Sequence, residues 1–119
     1  MFTYLFRKPK FPIICDIDGI VIAARSEKSF AKQLEKVPLN PEKSYRLVDV
    51  SGEGWSFLVK HMAISPLAFK KKWFKKEIIS LYNNRKNSSS DSNKYSEKSL
   101  SAKRFDKIFM DIVELLPKP

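Results

Sequence analysis

The chain has 119 residues, of which 43% are hydrophobic, 13% aromatic and 30% charged. That is enough for one compact domain over residues 1–119 and too rich in aromatic side chains for a wholly disordered chain. Twenty-three Lys or Arg against thirteen acids leave a formal charge of +10, which directs the protein toward polyanions: nucleic acid, an anionic membrane surface or an acidic protein.

Cys15 is the single cysteine, so an internal disulfide framework is excluded and a reducing compartment is expected. Only five of the basic residues are Arg; Lys is a mobile point charge that suits phosphate neutralisation better than base readout. The N-terminal stretch MFTYLFRKPKFP places apolar residues before its charges, unlike a secretory signal. The apolar run Ile20 to Ala24 is far too short to span a bilayer. The expectation is a cytoplasmic protein without a transmembrane segment.

Phe2, Leu5 and Phe6 are expected to tuck against the core as a short strand or arm, followed by an extended, proline-punctuated Lys8 to Pro12. Next comes IICDIDGIVIAA. Ile13, Cys15 and Ile17 alternate on one face, and Ile20, Ile22 and Ala24 resume after Asp18-Gly19, the pair favoured by a two-residue type I′ turn. A helix is predicted from Ser26 to about Val37, burying Phe30, Leu34 and Val37. Tyr45 to Val50 reads as a third strand, Ser51-Gly52-Glu53-Gly54 as a turn, and WSFLVKHMAI as a fourth strand.

Ser65-Pro66 looks like a helix start, with Ser65 as cap and Pro66 in the first position. The spacing then predicts a helix over 65–86. Leu67, Phe74, Ile78, Leu81 and Tyr82 fall on one face, and Phe69, Lys72, Trp73, Lys76 and Ser80 on another. From Lys60 to Lys86 there are eight Lys or Arg and one acid, Glu77, a net +7 of the chain's +10. Residues 87–99 read as a flexible polar loop. A last helix from about Ser99 to Leu116 buries Phe105, Ile108, Phe109, Ile112 and Leu116, with Val113 and Leu115 widening the stripe. The order ββαββαα implies an α+β domain: an antiparallel sheet of about four strands with helices on one face.

The segment FPIICDIDGIVIA resembles the first motif of haloacid-dehalogenase-type phosphatases, an apolar strand ending in Asp-x-Asp-Gly. The resemblance implies Asp16 as nucleophile and Asp18 as general acid/base around Mg²⁺. The chain departs from that family at Ile20, where the family prefers Thr, and in lacking its strand–helix alternation and its later acidic pair. His61 and Cys15 are too few for a standard zinc site. Neither catalytic nor metal-binding residues are therefore assigned, and no cofactor is expected.

The basic aromatic stretch is the leading candidate. Rings beside lysines are what single-stranded nucleic acid uses, with charge along the backbone and rings against bases. The candidate residues are Phe69, Lys70, Lys72, Trp73, Lys75, Lys76, Arg85 and Lys86. The expectation is a small non-enzymatic protein binding nucleic acid through helix 65–86. The alternative is a protein-interaction module, such as an immunity-type inhibitor or small regulator, docking on an acidic partner. A phosphatase using Asp16 and Asp18 is the remote one.

Overall fold

The computed structural model describes residues 2–69, 71–86, 94–96, 98 and 102–118. Its elements in chain order are β1 (Thr3–Tyr4), β2 (Ile13–Ile17), β3 (Ile20–Ala24), α1 (Glu27–Leu34), β4 (Ser44–Asp49), β5 (Gly54–Leu58), a 3₁₀ turn (Val59–His61), β6 (Ala63–Pro66), α2 (Lys75–Asn83) and α3 (Phe105–Leu115). The fold is α+β, but the sheet has six strands, not four, in the order β1-β6-β5-β4-β2-β3. It is also mixed: β1 runs parallel to β6, while the other neighbours are antiparallel.

The Asp18-Gly19 hairpin forms as its residues predict. Both have positive φ, 52° and 94°, and Ile17 pairs with Ile20. Its apolar run is continuous because both faces of these strands are buried. Ile13, Cys15, Ile17, Ile22 and Ala24 pack with Phe30 and Leu34 of α1. Ile14, Val21 and Ala23 face the other way, into a cluster with Ile78, Ile79 and Tyr82 of α2 and Ile108, Phe109, Ile112 and Val113 of α3. Helices therefore lie on both faces of the sheet, not on one.

Capping places the start of α1 where its sequence predicts, though the helix ends at Leu34 instead of near Val37. The Ser26 hydroxyl accepts the Ser29 N–H, and the Ser29 hydroxyl accepts the Ser26 N–H in return. In α3 the predicted stripe is buried at Ile108, Phe109, Ile112 and Val113, while Leu115 is exposed. Its regular turns begin at Phe105.

The two departures of secondary structure lie between Trp55 and Phe74. WSFLVKHMAI is not one strand: the 3₁₀ turn and Met62, at φ 47°, reverse the chain so that β6 pairs antiparallel with β5. The edge of β5 then recruits Ala63–Pro66 into the ladder, and Ser65-Pro66 ends a strand instead of opening a helix. Residues 71–73 are held extended as well. Lys71 O accepts the Gly54 N–H at 2.8 Å, the Trp73 N–H donates to Gly52 O at 2.7 Å, and Lys72 bridges Glu53. A chain tied to another strand in this way cannot close i→i−4 helical bonds. The helix expected over 65–86 is thus only α2, and it starts where Glu77 Oε1 accepts the Phe74 N–H at 2.9 Å.

Of the loop expected over 87–99, residues 87–93, 97 and 99 lie outside the described residues. Tyr95 is buried. Its N–H donates to Asn83 Oδ1 and its hydroxyl to Asp111 Oδ2, each at 2.7 Å.

Candidate functional site

The two faces of the sheet are covered unequally. The β4 residues Tyr45 and Leu47, the β5 residues Trp55 and Phe57, and Ile64 of β6 point toward α1 and are buried. On the opposite face, α2 and α3 cover β2, β3 and the Val48 end of β4, and no residue of β5 or β6 joins their cluster. That half of the face carries Ser44, Arg46, Ser56, Leu58 and Ser65. Ser44 and Arg46 are exposed; Ser56, Leu58 and Ser65 are half-buried. Three serines, Leu58 and one guanidinium form its floor.

Residues 67–69 and 71–76 form the border of this floor. Trp73 is anchored there: it is 6% exposed, and its indole Nε1 would lie 3.0 Å from a Cβ at position 54. A side chain at Gly54 would crowd the indole and the Lys71 methylenes and push them back by a few tenths of an ångström. With the Trp73 ring turned inward, its neighbours turn out. Phe69 is 90% exposed and Phe74 69%. The helical spacing put Phe69 and Trp73 on one face and Phe74 on another; the extended backbone of 71–73 instead separates Trp73, turned in, from Phe69 and Phe74, turned out.

Arg46 reaches across the floor. Its Nη2 donates to Asp16 Oδ2 at 2.7 Å, and its guanidinium lies 5.4 Å from the centre of the Trp73 ring. The arginine side chain is nevertheless 66% exposed, so one planar face is stacked and the other is presented outward. Between Arg46 and the first turns of α2 runs a groove of about 570 Å³ whose lining includes Asp16, Trp73, Phe74, Lys76 and Arg85.

The other predicted residues divide by what holds them. Lys72 and Lys76 are exposed, and no carboxylate among the described residues pairs with either ammonium. Lys75 is half-buried on α2. Arg85 closes the helix end: its Nη1 donates to Tyr82 O at 2.8 Å, with the guanidinium 3.8 Å over the Tyr82 ring. The Lys86 N–H donates to Gly19 O at 2.7 Å, and its methylenes lie under 3 Å from where a Gly19 Cβ would sit, so it clasps the hairpin tip. Lys70 lies outside the described residues. Glu77, the one acid of the stretch, is already engaged. Its Oε2 accepts Lys71 Nζ at 2.8 Å, and this bond, with the Phe74 N–H, holds the carboxyl below its usual range.

The Asp-x-Asp-Gly segment has a structural assignment for each carboxylate. Asp16 accepts the Gly19 N–H at 2.8 Å with one oxygen and Arg46 with the other. Asp18 accepts Lys43 Nζ at 2.7 Å and the Tyr45 hydroxyl, and the lysine bond is the main cause of its lowered pKa. β2 runs directly into a tight antiparallel hairpin, not toward a parallel strand through a helix, so the likeness to the phosphatase motif ends at the tetrapeptide. Cys15 is buried mid-strand, its thiol pKa pushed up by desolvation, while His61 is exposed beyond β5, with β4 lying between that strand and β2. Among the described residues no three His, Cys, Asp or Glu side chains converge as a metal would require. No described helix is long and apolar enough to cross a membrane.

Asp49 is the residue that sequence reading missed. It is 1% exposed, and its carboxylate accepts the N–H groups of Lys10, Ser51 and Glu53, the Ser51 hydroxyl and the Trp55 indole N–H. A buried carboxylate satisfied by so many donors fixes the turn between β4 and β5. That turn in turn presents Gly52 and Gly54 to residues 71–73. The available signal was an Asp two residues before Ser51 and three before Gly52, the pattern of an Asx-turn.

No known protein-family model matches the chain, and no curated protein or solved structure matches it.

Proposed function

We propose that this protein binds single-stranded nucleic acid across the open half of its sheet, with the border at 67–69 and 71–76 as the contact edge. One observation carries the reading: two phenylalanine rings, Phe69 and Phe74, stand exposed within the most basic stretch of the chain, beside Lys72 and Lys76, with which no carboxylate among the described residues pairs. Exposed rings give bases a surface to stack on, and unpaired ammonium groups follow the phosphates. Arg46 adds a guanidinium face on the floor between them. Trp73, being buried, supports this surface from beneath and does not itself stack on bases.

The test is a titration of a fluorescently labelled oligothymidylate, followed by anisotropy at several salt concentrations. Affinity is expected to fall log-linearly with salt, because phosphate contacts release counterions. Lys72→Ala and Lys76→Ala should each reduce the slope by about one contact's worth. Phe69→Ala and Phe74→Ala should each weaken binding by about 1–3 kcal/mol and leave the slope unchanged. If both phenylalanine variants bind like the parent, and polyglutamate competes no less well than unlabelled oligonucleotide, the surface recognises charge alone and the acidic-protein reading replaces this one.

A further inference from the structure

A second cationic hollow lies at the end of the sheet, apart from the groove beside α2. It has a volume of about 310 Å³ and is lined by Arg7, Lys8 and Lys10 of the N-terminal arm, by Asp49, Ser51, Glu53 and Trp55 at the β4–β5 turn, and by Lys71 and Lys72. Two separate segments thus contribute five cations to one small space, roughly the volume of ten water molecules.

The acids in its wall offset only part of this charge: Asp49 and Glu53 are two carboxylates against five cations. Asp49 is spent on the five donors that fix the turn, including the backbone N–H of Lys10. Glu53 is 8% exposed and receives Arg7 in a fork, Nη1 to Oε1 at 2.9 Å and Nη2 to Oε2 at 2.5 Å. Lys71 is paired with Glu77. Lys8, Lys10 and Lys72 remain: no carboxylate among the described residues lies within ion-pair distance of any of the three, and the Lys8 ammonium lies 5.1 Å from the centre of the Tyr4 ring. The framework around them is rigid: Asp49 binds the Lys10 backbone to the turn, and the Glu53–Lys72 bridge binds the same turn to 71–73. Holding three unpaired ammonium groups around one hollow is costly by mutual repulsion unless an anion joins them.

We infer that this hollow is a phosphate-binding site, taking a phosphate monoester or a pyrophosphate between Lys8, Lys10 and Lys72. The site shares only Lys72 with the proposed strand-binding surface, and uses neither Phe69, Phe74, Arg46 nor Lys76. A compact di- or trianion meets all three cations at once, as an extended strand crossing the open face does not. The source of the phosphate is either a free small molecule or the phosphorylated end of an oligonucleotide.

The test is calorimetric titration of the intact chain with inorganic pyrophosphate at fixed ionic strength. Saturable one-to-one binding is expected, and Lys10→Gln and Lys72→Gln should each weaken it about tenfold, the loss of one charge-assisted contact. Lys76→Gln and Phe74→Ala should leave it unchanged, although both lie on the surface proposed for strand binding. Both lysines are exposed, and thermal melting checks that the glutamine variants fold. An oligonucleotide bearing a 5′-phosphate, compared with the same strand lacking it, separates the two sources: competition with pyrophosphate by the phosphorylated strand alone assigns the site to strand ends, and equal failure of both assigns it to small phosphates. Non-saturable binding, or binding that Lys76→Gln weakens as much as Lys10→Gln does, would overturn the inference while leaving the strand-binding result untouched.

Discussion

The two faces of the sheet use aromatic residues for opposite purposes. Under α1, Phe2 stacks on Phe30 at 5.1 Å, and Phe57 meets both edge-on, so the rings of the arm, the helix and the sheet form one closed cluster. On the other face, at the border of its uncovered half, Trp73 is sealed beneath Arg46 while Phe69 and Phe74 have no comparable cover. The difference shows that aromatic content alone does not locate a binding surface. The backbone path decides which ring is used for stability and which is left outside, and here that path is set by hydrogen bonds from 71–73 to Gly52 and Gly54.

Substitutions on the two faces should therefore separate cleanly. Phe57→Ala, at 0% exposure, should cost about 3–5 kcal/mol in chemical denaturation, as buried phenylalanine truncations do. Phe74→Ala should leave stability within about 0.5 kcal/mol of the parent. Equal losses at the two positions would mean that the Phe74 ring is covered in solution. Asp49→Ala comes next: it strips the acceptor from four N–H donors and a hydroxyl at once, and should cost at least about 2 kcal/mol, with release of the 71–73 segment seen as faster amide exchange at Trp73. Preserved protection of the Trp73 amide would show that the turn does not depend on this carboxylate.

Gly19→Val should cost at least about 1 kcal/mol, because a β-branched residue resists φ 94° and its Cβ would displace the Lys86 side chain. Near-parental stability would mean that the clasp between the hairpin tip and the end of α2 contributes little.

The smallest effect is a pH dependence on the α2–α3 side. The Tyr95 hydroxyl, then Lys103 and Lys107, hold the Asp111 carboxyl well below the usual carboxylate range. A depressed pKa means that the native state holds fewer protons than the unfolded chain as the pH drops through the ordinary value near ~3.9. The stabilisation is therefore complete above that value and is lost as the pH falls toward and through the lowered one. Asp111→Asn should melt below the parent at pH 7, with the gap narrowing steadily as the pH falls below about 4. A gap that stays constant would assign the effect to packing instead.

Legibility in the sequence followed the range of the determining contacts. The Asp18-Gly19 hairpin, the Ser26 cap and the stripe of α3 are set by neighbours within a few residues, and each forms where its residues imply. Residues 63–74 are set from a distance. Nothing inside Ala-Ile-Ser-Pro reveals that the free edge of β5 will recruit it, and the helical spacing of Phe69 and Trp73 is real in the sequence but unused by the backbone. Met62 turns the chain at positive φ without the glycine or asparagine that usually marks such a turn. The concentration of charge over 60–86 was plain from composition. Which rings faced outward was not, because that depends on two glycines some twenty residues earlier, Gly52 and Gly54.

The most direct test of the strand-binding surface is an amide chemical-shift map of the ¹⁵N-labelled protein during titration with a short oligothymidylate. The account predicts that the perturbed amides cluster at Arg46, Ser56, Ser65, Lys72, Phe74 and Lys76, with α1 and the Phe2–Phe30–Phe57 side unmoved. Shifts confined to α1 and that closed face, or no shifts at low salt, would contradict it.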